Sequence, residues 1–230
     1  MTKEKFKVMH NVFDEFTNLT LLKLISKGYI DGLESTLYVG KEANIFTALR
    51  EGKRVIAKIY RLETCDFNRM YDYIKYDPRY QGLKKKKRKI IFSWVQREFR
   101  NLMKARQAGV RVPMPITFLN NVLVIEFIGK DEIAPKLKDS IPRNKKKFFN
   151  EIIDNMKKLY KDGLVHADLS SFNILNFNEE PVFIDMSQAT TTEDVRSREY
   201  LERDINNIIT FFNKLKLKIN KEKTWNFITK

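Results

Sequence analysis

The sequence predicts an α+β chain in two lobes, an antiparallel five-stranded one followed by a mainly helical one. Three observations predict it. Residues 33–61 fall into three runs of strand character, LESTLYVG, ANIFTALR and RVIAKIYR, joined by tight turns at Gly40 and Glu51-Gly52. Two more short apolar runs, ITFL and VLVIEFI, follow the helix-breaking Pro113 and Pro115. Beyond residue 130 the apolar spacing changes to three and four over long stretches, which is the period of a helix.

At 230 residues and 43% hydrophobic content, the chain is long enough for one large domain or two lobes sharing a cleft. It carries 44 Lys and Arg against 29 Asp and Glu, a net charge of +15. That excess favours anionic partners such as nucleic acid, and it bears on association rather than on fold. Cys65 is the only cysteine, which excludes an intramolecular disulfide and a cysteine zinc cluster and suits a reducing cytoplasm. The first residues hold no signal-peptide core and no 18-residue apolar run occurs anywhere, so no membrane partner is expected.

Taken in order, residues 1–32 read as a helical extension, with Val8, Val12, Phe16, Leu19, Leu22 and Ile25 at spacings of three and four, ended by Gly28 and Gly32. The five-stranded lobe spans 33–129. Its third strand, Val55-Ile56-Ala57-Lys58, would project a lysine from the sheet face. A helix over Trp94–Arg106 presents Val95, Phe99, Leu102 and Met103 as a buried stripe with Glu98 beside it. A basic insertion, residues 62–92, lies between strand and helix. Its run Lys84–Lys89, with Tyr71, Tyr73, Tyr76 and Tyr80 nearby, is suited to RNA by phosphate contact and base stacking, or else is a solvated basic loop. Glu126-Phe127-Ile128-Gly129 reads as a hinge. In the helical lobe, 130–230, one stripe runs from Phe148 to Tyr160 and closes at Gly163, and another runs Leu201, Ile205, Ile208, Phe212, Leu215.

Between those two stripes lies LVHADLSSFNILNFNEEPVFIDMSQ, residues 164–188. His166-Ala167-Asp168 is followed by Asn173 and then by Asp185 at the end of an apolar run. H-x-D-x-x-x-x-N followed by a strand ending in Asp is the spacing of a protein-kinase catalytic loop and metal site. Asp168 would orient or deprotonate a hydroxyl, while Asn173 and Asp185 would hold magnesium, a cation that takes oxygen ligands and few of them from protein. Lys58 and Glu98 are the strand lysine and helix glutamate that such a site needs at the α- and β-phosphates of ATP.

The motifs GKEANIF, AKIYR, MYDYIKYDPRYQGLKKKKRKIIFSWVQREFRNL, VIEFIG, APKLKD, VHADLSSFNIL and FIDMSQA resemble the RIO family of atypical serine/threonine kinases, and within it the first branch in its compact archaeal form. The second branch carries an N-terminal winged helix, for which this chain has no room. The resemblance covers about Leu33 to Phe212. It implies a two-lobed protein-kinase-like fold without the usual activation segment and peptide-docking helices. It implies that Lys58 binds phosphates, that Glu98 holds Lys58, and that Asp168 is the catalytic aspartate. Asn173 and Asp185 would be the metal ligands for Mg2+, or Mn2+ in its place. Lys41, Glu42, Ala43 and Asn44 would form the nucleotide loop, Glu126 and Ile128 would meet adenine, and Asp204 would brace the catalytic loop from below.

Two departures stand out. Tyr38-Val39 occupies the place of the family's usual Ser-Thr before the loop glycine, with Ser35-Thr36 displaced upstream. Ile56 and Ala57 exchange the usual small and large residues, so that Ile56 shares the face of Lys58 and narrows the adenine roof. The resemblance implies an autophosphorylating, ATP- and magnesium-dependent kinase acting in the cytoplasm on maturation of the small ribosomal subunit, in contact with its precursor RNA. The alternative is an RNA-binding assembly factor whose ATP hydrolysis, through an aspartyl-phosphate on Asp185, times its release. The small atypical kinase of the tRNA-modification machinery lacks the basic insertion and fits less well.

Overall fold

The computed structural model describes residues 13–230; Val8 and Val12, expected on the first helical stripe, lie outside them. The chain divides into two compact units. The first takes the described residues up to Met70, with Lys84–Gln96 and Pro115–Phe127; the second takes Tyr71–Leu83, Arg97–Met114 and Ile128–Lys230.

In the first unit, helix α1 (Glu15–Ser26) is capped by Asp14, whose carboxylate accepts from the Thr17 N–H at 2.9 Å. Strands β1 (Gly32–Val39), β2 (Ala43–Arg50), β3 (Lys53–Tyr60), β4 (Pro115–Leu119) and β5 (Val122–Glu126) form an antiparallel sheet in the order β1-β2-β3-β5-β4. The sheet carries its core on one face, where Phe46, Ala48, Val55, Ala57, Ile59, Val122 and Val124 pack with Leu21, Leu24 and Ile30. The buried face of α1 differs from the expected stripe: Leu19 and Leu22 are exposed, while Thr17, Asn18, Thr20, Leu21 and Leu24 are buried. Hydrogen bonds explain the rotation. Asn121 donates to the Thr17 hydroxyl at 2.9 Å and Asn120 to that of Thr20 at 3.0 Å, so polar residues find partners on the inward face.

The insertion is ordered rather than loop-like, with α2 (Phe67–Ile74) and a 3₁₀ turn at Pro78–Tyr80 capped by Asp77. Helix α3 (Lys87–Gln107) begins earlier than expected and takes Lys87, Arg88 and Lys89 into its first turn. Met103, expected on its buried stripe, is exposed, and the polar Arg97, Glu98 and Asn101 are buried instead.

The second unit adds α4 (Lys145–Lys161), α5 (Ser197–Lys214) and α6 (Lys221–Thr229), with four short strands before α5: β6 (Leu164–Val165) paired to β9 (Thr190–Thr191), and β7 (Ile174–Phe177) paired to β8 (Glu180–Phe183). Both helical stripes expected here are buried, apart from the partly exposed Phe149, Tyr160 and Leu215. Phe149 meets Phe212 edge-on at 5.4 Å. Gly163 ends α4 at φ +70°, a left-handed value that costs glycine little.

Candidate active site

In the first unit, Lys58 lies on β3 with its neighbours alternating across the sheet. Val55, Ala57 and Ile59 enter the core against α1, so Ile56, Lys58 and Tyr60 share the other face. Both Ile56 and Lys58 are buried, and the Lys58 ammonium stands 5.2 Å from the centroid of the Tyr60 ring. Tyr60 was not among the expected site residues, although the strand period places it there.

The turn from β1 to β2 closes with the Gly40 N–H donating to the Ala43 carbonyl at 3.1 Å. A Cβ on Gly40 would lie 2.8 Å from that carbonyl and 2.8 Å from the Tyr38 ring, which explains the glycine. Lys41 is exposed, Glu42 half-buried, and Ala43 and Asn44 buried. The Ser35 hydroxyl lies 2.8 Å from that of Thr47, within a β1 that carries two register shifts. It is thus committed to the sheet, and Tyr38 and Val39, before the glycine, are exposed. Glu126 ends β5 opposite Val55.

In the second unit, Asp168 follows β6 in a loop whose shape is imposed from α5. The buried Asp204 carboxylate accepts from the Ala167 N–H and the Leu169 N–H, each at 2.8 Å. Arg203 donates to the Ala167 carbonyl, and Asn207 to that of Leu169 at 3.1 Å. Four bonds therefore grip the residues on either side of Asp168, and they hold Ala167 at φ +64°, a conformation that costs about 1–3 kcal/mol and persists only where the surroundings enforce it. Burial pushes the Asp204 carboxyl up, against the pull of those two N–H donors. The brace expected from sequence is present.

The Asp168 carboxylate is itself positioned. Asn173 donates from Nδ2 to its Oδ2 at 3.1 Å and to its carbonyl at 2.9 Å, and Gln188 donates to the same Oδ2 at 3.3 Å. With Nδ2 committed, Oδ1 is the end of the Asn173 amide that can meet a cation. Asp185, two residues past β8, sits at φ +59° and accepts from the Ser187 hydroxyl at 2.8 Å. His166 joins the two segments: its Nε2 lies 3.1 Å from the Ile184 carbonyl. Burial pushes the imidazole down to about 4, so it is neutral at pH 7 and Nε2 must be its protonated nitrogen.

The segment after Asp185 is anchored by α3. Asn101, fully buried, donates to the Met186 carbonyl at 2.8 Å and to that of Ala189 at 2.7 Å, while Arg79 donates to its Oδ1 at 2.8 Å. Arg97 donates to the Gln188 carbonyl at 3.4 Å and lies 3.3 Å from Asp77. Glu98 is buried on the same helix. Ile128 packs with Ala134, Leu175 and Val182, and its carbonyl accepts from the Ala134 N–H at 2.8 Å, so its own N–H is what it can offer a base edge.

Among the described residues no three His, Cys, Asp or Glu cluster as a metal cage. The Asn173 and Asp185 oxygens fit magnesium, which binds through one or two protein oxygens and takes the rest from phosphates and water. No helix among the described residues is long and apolar enough to cross a membrane.

A family model for the RIO domain matches residues 44–224. The chain belongs to the RIO family. The RIO-type serine/threonine-protein kinase Rio1 of Methanocaldococcus jannaschii is 42% identical over 98% of this chain and 78% of its own length. The Rio1 proteins of Haloferax volcanii and Thermoplasma acidophilum are 37% and 36% identical, over 98% and 81% of this chain and 79% and 99% of their own lengths. Among solved structures, the Rio2 kinase–ADP/Mg2+–phosphoaspartate complex from Chaetomium thermophilum matches with a TM-score of 0.70 and 23% identity, over 93% of this chain and 66% of that one. That likeness shows the kinase-like RIO fold. Membership of the first RIO branch and the α+β kinase-like fold, both expected from the motifs, are borne out, and relatives at this identity are serine/threonine-protein kinases by name.

The sequence motifs named Asp168, Asn173 and Asp185, and the brace Asp204, but not the positioning roles of Gln188, Arg97 and Asn101. Gln188 was legible as part of the ID-x-S-Q motif without a role. Arg97 and Asn101 give only a weak signal, two polar side chains one helical turn apart beside an apolar stripe.

Proposed function

We propose that this chain is an autophosphorylating, ATP- and magnesium-dependent serine/threonine protein kinase of the RIO type, acting in the cytoplasm on maturation of the small ribosomal subunit. One observation carries the enzymatic part: the Asp168 carboxylate is aimed by Asn173 and Gln188 and its flanking backbone is gripped by Asp204. That is the preorganisation needed to orient a hydroxyl for in-line attack on a γ-phosphoryl group. Lys58, Glu98, the loop Lys41–Asn44, Glu126 and Ile128 keep the nucleotide roles that the family motifs imply. Magnesium, when bound at Asn173 and Asp185, supplies charge neutralisation of the phosphates.

The ribosomal part rests on the family resemblance and on charge. Helix α3 has no acidic residue in its first turn, where Lys87, Arg88 and Lys89 stand after the exposed Lys84–Lys86. Cations at the positive end of a helix repel it, and a nucleic-acid phosphate relieves that repulsion.

A second reading is an ATPase switch through an aspartyl-phosphate on Asp185. It is favoured by the short connection, residues 189–196, between Gln188 and α5, which leaves no room for a peptide-docking activation segment. The phosphoaspartate of the Chaetomium thermophilum Rio2 structure is consistent with it. Incubation with magnesium and γ-labelled ATP, alongside Asp168→Asn and Asp185→Asn, separates the two. Hydroxylamine-resistant label lost in both variants supports the kinase. Hydroxylamine-labile label absent only from Asp185→Asn supports the switch, and no label with no ADP from the wild type overturns both.

A further inference from the structure

We propose that Gln188 is the residue that admits water as the nucleophile, so that its side-chain carbonyl sets how much ATP is hydrolysed rather than transferred to a hydroxyl. The inference rests on the kinase reading above, not on the aspartyl-phosphate one, and names what lets the same site pass the phosphoryl group to water instead of a hydroxyl.

The amide of Gln188 is oriented by its neighbour. Its Nε2 donates to Asp168 Oδ2 at 3.3 Å, because the opposite orientation would set two oxygens against each other. Oε1 is therefore turned away from the carboxylate, and it is buried without a hydrogen-bond partner among the described residues. A buried acceptor left unmatched is destabilising, so such an atom in a working site calls for a donor. The backbone beneath is held by Arg97 on the Gln188 carbonyl and Asn101 on the carbonyls either side, at Met186 and Ala189. Gln188 is thus a fixed amide with one end on the catalytic carboxylate and an acceptor at the other.

The two nucleophiles differ in their hydrogens. A serine or threonine hydroxyl has one, which Asp168 accepts. Water has two, and its attack needs an acceptor for the second to fix its orientation. Gln188 Oε1 is that acceptor. In the hydrolytic step the water oxygen bonds to the γ-phosphorus and the bond from that phosphorus to the bridging oxygen breaks. ADP leaves with the electron pair, and one water proton passes to the Asp168 carboxylate while the other stays on the new phosphate. A glutamine that orients attacking water is an established device in other nucleotide hydrolases.

The test compares wild type with Gln188→Leu and with Gln188→Met, which keeps the length of the side chain and guards against a packing defect. Each is incubated with magnesium and γ-labelled ATP, and inorganic phosphate and hydroxylamine-resistant phosphoprotein are measured in the same sample. Hydrolysis is expected to fall on the order of tenfold more than hydroxyl transfer in both variants. If the two products fall in proportion, Gln188 only positions Asp168 and the inference is overturned. An unchanged ratio at unchanged rates overturns it as well. A wild type that yields neither product overturns the kinase reading and takes this inference with it, whereas wild-type turnover with an unaltered ratio overturns this inference alone.

Discussion

Arg97 and Asp77 stand 3.3 Å apart with neither side chain exposed to solvent. The pair ties the 3₁₀ turn of the insertion to α3, and through Arg97, Arg79 and Asn101 to the backbone of residues 186–189 that follow Asp185. Burial lowers the Arg97 guanidinium to about 10, which still leaves it charged at pH 7.

The pair has a signed pH dependence. Burial pushes the Asp77 carboxyl up, but the hydrogen bonds and charge of Arg79 and the charge of Arg97 outweigh it, and the net shift is below the ordinary value of 3.8. A carboxyl lowered on folding contributes stability above its unfolded value and loses it as pH falls through the folded one. Asp77→Asn is therefore expected to cost roughly 3–5 kcal/mol at pH 7, by stranding a buried cation. The gap from wild type should narrow once pH drops below the ordinary carboxylate range. Urea unfolding at pH 7 and pH 3 checks it, and a gap of constant size at both would rule out the charge as its source.

Asp204→Asn removes one of the two acceptors that grip the catalytic loop. An amide presents a single oxygen, so the Ala167 or the Leu169 N–H would face an NH2 group, at a cost of about 1–3 kcal/mol. Phosphoryl transfer should fall on the order of tenfold or more, because a small misplacement of Asp168 is amplified in rate. ATP affinity should stay near wild type, since Asp204 is bonded to the loop backbone. A loss of affinity as large as the loss of rate would show that the brace does something else.

Ile56 shares the Lys58 face of β3 and is buried there. Ile56→Ala is expected to tighten ATP binding by widening the adenine roof, while lowering stability by about 2–5 kcal/mol through the cavity it leaves. Nucleotide titration and thermal unfolding read the two effects separately. Unchanged or weaker binding would mean that Ile56 does not crowd the base.

Replacing Lys84–Lys89 with Gln should weaken binding to ribosomal RNA and flatten its salt dependence, by about 0.7–0.9 in log–log slope for each phosphate that is no longer neutralised. Lys87 donates to the Glu63 carbonyl at 2.7 Å and Arg88 lies 4.9 Å from the Phe16 ring centroid, so these two have structural work besides. A single Lys84→Gln, at an exposed position, separates the charge effect from theirs. An unaltered slope in the full replacement would remove the run from any RNA interface.

The residues that carry the chemistry were legible because their spacing lies within one short segment. His166, Asp168, Asn173 and Asp185 follow one another along the chain, and the loop and strand between them leave few ways to arrange them. The face of Lys58 was legible for a similar reason, since a strand alternates with period two and Val55, Ala57 and Ile59 had to enter the core. The buried face of α1 was not. Thr17 and Thr20 face inward because Asn121 and Asn120 reach them from the β4–β5 turn. A hydrophobic stripe carries no trace of such a distant partner.

What the sequence by itself determined is the order of elements, the identity of the reactive groups and the family, because periodicity and motif spacing are local properties. Tertiary structure alone decided how those groups are aimed. Asn101 is bonded to Met186 and Ala189, and Gln188 to Asp168. Each bond joins positions far apart in the chain, and a buried polar side chain takes whichever partner folding brings within about 3 Å, since leaving it unpaired costs more than any local preference offers.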